Sequence, residues 1–580
     1  MPPASSSLRT RKPLFALAIL FASLAAQAST RPQLESLSQD FWQWRATEQP
    51  FTDDDIPRIE RPVSFVADWS PAATQHYIAQ IATFEARFRA LDYANAPIPD
   101  QVDYRLLGSA IARVRWELEV LPGWRQNPFF YVDQSLGNLY TLILPPAPFV
   151  ASRQLAILAA LESVPTLLDQ GRANLTDMRA PYVRTAIASL QKIDTRLDTF
   201  NTTFLPRLDS ANRPRFQKAL ASAKTALVAY REWLATQKNL PEQTAVGREG
   251  YLYFLRNVAL LLYTPEQILT MGQQEWQRAV AFESLQQAAN TGLPKLPLYP
   301  SLKAQEEESA KQERAIRTYM PAHHILSVPA EIKHYNSIAM PAYVAPLSFL
   351  GVTDDLTGPS RLDQDGSSYK QPPSENMGFF SVATAHDTRP IILHEGVPGH
   401  YFQLTWSWRH PDPIRRHYYD SESNEGLGFY AEEMMLEAGL FDAGAGPASP
   451  RSKEIIDSFM RLRALRVEVD VRLALGEFSL EQAAQYLATT VPMDQGTAHA
   501  EAAMFASTPG QAITYQIGKL DILHLLSDAR RKQGEAFRLQ TFHDFIWLNG
   551  NVPFSLQRWE LLNDPSAVPP LAPSFAPPAK

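Results

Sequence analysis

The sequence predicts a mainly α protein with a minor β element. Three observations carry that expectation. Apolar residues recur at three- and four-residue spacing along much of the chain. Alternating strand patterns are rare. No internal repeat and no convincing linker divides the 580 residues. Hydrophobic residues are 45% and charged residues 20% of the total, which is globular and excludes a disordered or fibrous chain.

The first residues read as a processing signal. Arg9, Arg11 and Lys12 precede an apolar run from Leu14 to Ala26, and Ala26-Gln27-Ala28 is a small-residue cleavage pattern. The expectation is a signal peptide over 1–28, a mature chain from Ser29 and a periplasmic or secreted location. The alternative is an N-terminal membrane anchor. No later stretch is long and apolar enough to span a bilayer, since Arg256 and Asn257 interrupt the nearest candidate, Tyr251 to Tyr263.

Helical stripes follow at Ala73–Asn95, Asp103–Val120, Arg153–Leu168, Asp177–Phe200, Asn212–Thr236, Pro265–Ala289, Arg451–Leu475, Ser479–Leu487 and Gln511–Gln533. Thr264-Pro265 and Ser479 with Glu481 are start signals. Ile325–Val328 and Asn376–Thr384 are the strand candidates, and the second offers an edge for an extended peptide. Asp363-Gln364-Asp365-Gly366 faintly matches a calcium loop, but Arg361 occupies the first carboxylate position, so it reads as a turn. The Pro-rich tail, 564–580, is expected to be disordered. Residues 29–563 are expected to form one helical catalytic domain, with an N-terminal lobe of about 29–320 and a metal-site lobe of about 321–563.

Composition narrows the function. The net charge is −7 and no basic footprint follows the N-terminus, which argues against nucleic acid. Cysteine is absent, so disulfides, thiolate metal sites, cysteine nucleophiles and a cysteine-borne lipid are excluded. No G-x-S-x-G occurs, which disfavours a serine hydrolase.

Histidine clusters instead. Five of the 12 histidines (386, 394, 400, 410 and 417) fall between residues 386 and 417. At the centre is His394-Glu395-Gly396-Val397-Pro398-Gly399-His400. In H-E-x-x-H zinc peptidases the histidines at i and i+4 share one face of a helix. Here the second is at i+6, roughly 240° round a straight helix. A shared metal therefore requires a break between them. Pro398 removes an N–H from the helical ladder, and Gly399 is expected to adopt an unusual backbone angle. The bland alternative is a structural corner. Glu425, in Asn424-Glu425-Gly426-Leu427-Gly428-Phe429-Tyr430-Ala431-Glu432-Glu433, is a carboxylate in small and apolar company and a candidate third ligand. Glu432 shares its face and is a candidate partner for a ligand histidine.

The stretch His394-Glu395-Gly396-Val397-Pro398-Gly399-His400-Tyr401-Phe402-Gln403 resembles the H-E-x-x-P-G-H-H-x-Q signature of the bacterial domain-of-unknown-function 885 family. The Glu425 segment is similar to that family's E-G-W-A-L-Y-A-E. Ser507 to Leu520 is similar to its P-G-Q-A-x-x-Y-x-I-G block, and Phe542-His543-Asp544 with Asn549 to Pro553 to its F-H-D…G-x-x-P block. The resemblance implies a large helical, zincin-like metallopeptidase fold in two lobes around a cleft. It also implies Zn2+ held by His394, His400 and Glu425, with Glu395 as catalytic base and Tyr515 as transition-state donor. Tyr401 replaces the usual second histidine, Leu427 the usual Trp, and Asp470-Val471-Arg472 lacks the His of D-T-G-x-H.

The expected function is a zinc-dependent metallopeptidase acting on a peptide or amide. The rivals are a zinc amidase or esterase on a cell-wall or other non-peptide substrate, and a non-catalytic helical binding protein with a structural or degenerate site. Glu395 favours an enzyme, because a structural site needs no base. Arg472 and Lys519 are candidates for a substrate carboxylate, against the simpler reading of surface ion pairs.

Overall fold

The computed structural model describes residues 14–48, 59–63, 65–442, 449–491 and 493–578, with side chains from Arg31 onward. The expected signal segment lies partly outside the described residues. From Leu14 its backbone opens a helix that runs to Thr47. Among the described residues, no helix is long and apolar enough to cross a membrane.

The predicted stripes are helices, and their start signals are caps. Helix Pro265–Ala289 begins with the Thr264 side chain accepting from Gln267 N–H while the Gln267 side chain accepts from Thr264 N–H. Ser479 and Gln482 build the same box for Leu480–Thr490. Asp177–Phe200 is two helices, Ala180–Ser189 and Ile193–Phe204.

Packing crosses the expected lobe boundary. Helix Pro265–Ala289 lies along Ser452–Leu475 so closely that a Cβ on Gly272 would meet Val467 Cγ1 at 2.7 Å. One large apolar core runs under the N-terminal helices and takes in Val467, Ile513 and Val552. A second surrounds Ile392, Leu393, Val397, Leu427, Phe429, Trp547 and Phe554.

The β element is a three-stranded sheet in the order β1 (Tyr335–Ala339), β3 (Gly366–Lys370), β2 (Asp354–Asp355). β1 and β3 are parallel, and β2 is antiparallel to β3. Neither strand candidate is a strand. Ile325–Val328 pairs with no strand: Ile325 N–H donates to Met320 O, Ser327 N–H donates to Asp544 and Ile325 O faces His543 Nδ1. Asn376–Thr384 contains the start of a helix, Phe379–His386. Its paired phenylalanines pack on Phe459, at ring separations of 5.9 and 5.5 Å, and this contact overrides their strand propensity. The edge proposed there for a peptide does not exist. The Asp363–Gly366 segment is a turn: Asp365 accepts from His334 N–H and Asn336 Nδ2, at 3.0 Å each.

The Pro-rich tail is also not as expected. Through residue 578 it lies on the N-terminal helices. Phe575 is 1% exposed. Its N–H donates to Glu85, its carbonyl accepts from Tyr253, and the Arg89 guanidinium lies 4.5 Å from its ring centroid. Arg89 and Arg105 donate to the carbonyls of Ala572 and Pro569. A chain poor in N–H donors is ordered by arginines that bind its carbonyls.

Candidate metal centre

The His-Glu segment ends a helix abruptly. Ile392–Gly396 forms a wide turn that closes with Val397 N–H donating to Ile392 O, five residues back, at 2.8 Å. Val397 is extended, and a new helix starts at His400. Trp547 Nε1 donates to Pro398 O at 2.7 Å and fixes the corner. Gly399 has φ −71°, so it supplies no left-handed angle. It supplies room: a Cβ there would lie 1.8 Å from His394 O. The expected unusual backbone angle is present, since ψ is −143°, outside the helical and extended regions, and close backbone approach adds a second need for glycine.

Glu425 arrives on helix Ser421–Glu437, capped by the Asp420 side chain. This helix crosses Thr514–Gln533 at two glycines. A Cβ on Gly426 would meet Gly518 Cα at 2.8 Å, and one on Gly518 would meet Glu422 O at 2.5 Å. Gly428 faces the imidazoles, and its Cβ would sit 3.0 Å from His400 Cε1 and 3.2 Å from His394 Cε1. Gln403 Oε1 accepts from Asn424 and Asn551, which ties the His400 helix to the Glu425 helix.

The break brings the two imidazoles together, with ring centroids 4.7 Å apart. Glu425 Oε2 lies 3.3 Å from His394 Nε2 and 3.2 Å from His400 Nε2. Ligand atoms of all three residues lie within 4.8 Å of one another. A tetrahedral ion with ~2.0 Å bonds sets its ligand atoms about 3.3 Å apart. Glu425 Oε2 is buried and makes no well-aligned hydrogen bond. An N,N,O donor set with a carboxylate oxygen so placed fits zinc.

Glu395 Oε2 is 3.9 Å from His400 Nε2, and its side chain is 23% exposed, against 14% for Glu425. Burial raises its pKa, the two imidazoles oppose that, and Asp354 and Glu425 add to it. Glu425 is disfavoured by burial, yet the imidazoles hold it well below the usual carboxylate range. For His394, burial and Arg463 disfavour the cation, but Glu425 and Glu432 win and raise it to about 9. Glu432, wholly buried, has Oε1 2.8 Å from His394 Nδ1.

The Tyr515 ring stacks near His394, 6.1 Å away at 15°. Burial, then the Glu425 carboxylate, push its phenol pKa up, so at neutral pH it is a donor. Its approach is set by Asp470, which accepts from Gly510 and Ala512 N–H and from Tyr251 OH. Gly510 has φ +94°, which a side chain would strain. Tyr401, in the family's second-histidine position, is buried and donates to Gln364 O, away from the centre.

The other clustered histidines are elsewhere. His386 faces Glu375, His410 accepts from Asp412 N–H, and His417 stacks on Trp42. Arg472 pairs with Glu468 and Glu477. Lys519 is not on the surface: it is fully buried, 2.6 Å from Glu433 and 3.3 Å from Glu275. Sequence reading missed Arg463 and Arg466, which flank Tyr515 with guanidinium carbons 5.5 and 5.0 Å from its ring. They sit in an amphipathic stripe, and their only signal is two arginines on the helix's apolar side.

The family model described as bacterial protein of unknown function (DUF885) matches residues 63–560. This chain belongs to the DUF885 family. Its match spans both the N-terminal helices and the four motifs. A provisionally named lipoprotein of unknown function from Shewanella oneidensis has the same fold, with TM-score 0.67 and 17% identity, over 91% of this chain and 99% of that one. A provisionally named lipoprotein from Colwellia psychrerythraea gives TM-score 0.70 and 17% identity, over 93% of this chain and 99% of that one. At that identity the likeness concerns the fold alone. No curated protein matches this DUF885 member significantly.

Proposed function

We propose that this DUF885 protein is an exported zinc-dependent hydrolase, a metallopeptidase of zincin-like, two-lobed architecture that cleaves peptide bonds with Glu395 as general base. The observation that carries the reading is the convergence of His394, His400 and Glu425 beside a partly exposed Glu395. Zinc held by those three residues supplies Lewis acidity, polarising a carbonyl and lowering the pKa of a water towards ~7. Glu395 takes the proton of the attacking water and delivers it to the leaving amine. Its raised pKa suits a group that must accept and then release a proton. Tyr515 donates to the developing oxyanion.

Export is supported by the N-terminal signal pattern and by the provisional lipoprotein names of the two relatives, although this chain has no cysteine to carry a lipid. Glu395→Gln in zinc-loaded protein, assayed on a peptide library, tests the chemistry. Loss of turnover with zinc retained is expected, and full turnover would remove Glu395 as base. The same activated water attacks other amides and esters, so cleavage confined to an ester or muropeptide panel would replace peptidase by amidase or esterase.

A further inference from the structure

Arg463 is the group that the proposed chemistry leaves unexplained. It is 3% exposed and lies on helix Ser452–Leu475. Its Nη2 is 3.0 Å from Glu432 Oε1 and 3.4 Å from His394 Nδ1. Its Nε and Nη1 are buried without a hydrogen-bond partner. Rings enclose the guanidinium: Phe429 and Phe459 at 5.1 Å, Tyr515 at 5.5 Å and Phe380 at 6.0 Å from its central carbon. A buried cation normally saturates its donors, so this one satisfies a demand other than its own. That demand is Glu432. A wholly buried carboxylate is costly unless a cation or donors compensate it. Arg463 provides the compensating charge, and the rings hold the planar group in one orientation.

We propose that Arg463 is a positioning residue for the metal centre: it holds the Glu432 carboxylate aimed at His394 Nδ1, so that His394 Nε2 stays directed at the site shared with His400 and Glu425. The inference rests on the zinc reading. Arg463 touches neither substrate nor metal and acts through Glu432. The same guanidinium lies over the Tyr515 ring, so the ligand histidine and the oxyanion donor are referenced to one rigid group.

The test is zinc affinity, by competition with a chromophoric chelator, for full-length wild type, Arg463→Met, Arg463→Lys, Glu432→Gln and the Arg463→Met/Glu432→Gln double variant. The cobalt(II)-loaded absorption spectrum and the melting of each metal-free protein are measured beside it. Losing an outer partner of a ligand histidine costs roughly 10- to 100-fold in metal affinity. Arg463→Met and Glu432→Gln should each show that loss and the same change in cobalt spectrum. Arg463→Lys, which keeps the charge, should recover part of it. The double variant should be no weaker than Glu432→Gln alone, because the arginine acts through that carboxylate. Should Arg463→Met fail to fold with Glu432 left unpaired, the double variant, with both charges removed, carries the comparison. Affinity of Arg463→Met within twofold of wild type overturns the proposal, as does a double variant tenfold weaker than Glu432→Gln. Wild-type protein that binds no zinc overturns the zinc reading and this inference with it. Every other failure falls on Arg463 alone.

Discussion

Glu425 shows what a single side chain decides here. Burial alone would raise its pKa, and two imidazoles reverse that. Glu425→Gln keeps the shape but removes the charge that draws a cation, so zinc affinity should fall at least 100-fold, measured by chelator competition. Tyr515→Phe removes only a hydroxyl. It should lower kcat by roughly 100-fold, about 3 kcal/mol, at unchanged zinc stoichiometry. His543 works differently. It is fully buried between Tyr430 OH, 2.9 Å from Nε2, and Ile325 O, 2.8 Å from Nδ1. Burial lowers its pKa to about 4, against 6.5 unfolded. The folded protein thus binds fewer protons between those values, and stability falls as pH drops from 6.5 towards 4, by up to about 1.4 kcal/mol per unit. Asp470, raised to about 6 by burial, opposes this in the same range. The difference between wild type and His543→Asn isolates the histidine. The urea midpoint of wild type should drop more than the variant's between pH 7 and pH 5, and parallel drops would contradict the assignment. The dipeptide His394-Glu395 and the acid at 425 were legible from residue type and order. Arg463 was not, because nothing local separates a boxed arginine from any other in a helical stripe.

At the scale of elements, the centre depends on a broken helix and on crossings made close by glycine. The i+6 spacing with Pro398 pointed to a break if the histidines were to converge, and the helix breaks there. For Gly399 the unusual angle was legible but the close approach was not, since the atom it makes room for is His394 O, brought near only by the folded turn. Gly428→Ala tests the same principle more gently. Its methyl would press on both imidazoles, so zinc affinity should fall about tenfold or more while the metal-free protein melts within a few degrees of wild type. Gly518→Ala pushes two helices apart and should cost about 1–3 kcal/mol, read as a lowered urea midpoint. Helices were legible because their periodicity and caps are local. The strands were not: Tyr335–Ala339 and Gly366–Lys370 are short, and their partners (Tyr335 with Gly366) are far apart in sequence. Phe379-Phe380 reads as strand by propensity and becomes helix through contact with Phe459.

For the whole molecule, closure of the two ends matters. Arg31, just beyond the expected cleavage point, pairs with Asp100, Asp103 and Asp412. The tail returns to Glu85 and Arg89 through Phe575. Phe575→Ala should therefore cost about 3 kcal/mol and expose the tail to proteolysis, checked by urea unfolding and limited digestion. An unchanged digestion pattern would show that the tail is held otherwise.

By itself the sequence determined that the chain is helical, that thiolate chemistry is absent, and that two histidines and an acid stand in an order that suits one metal ion. Those are consequences of residue type and spacing, which act locally. The tertiary structure decided the rest: the meeting of Glu425 with both imidazoles, the Glu432–Arg463 pair behind His394, the approach of Tyr515 and the anchoring of the tail. Each joins residues dozens to hundreds of positions apart, and only packing and the neutralisation of buried charge bring such groups together.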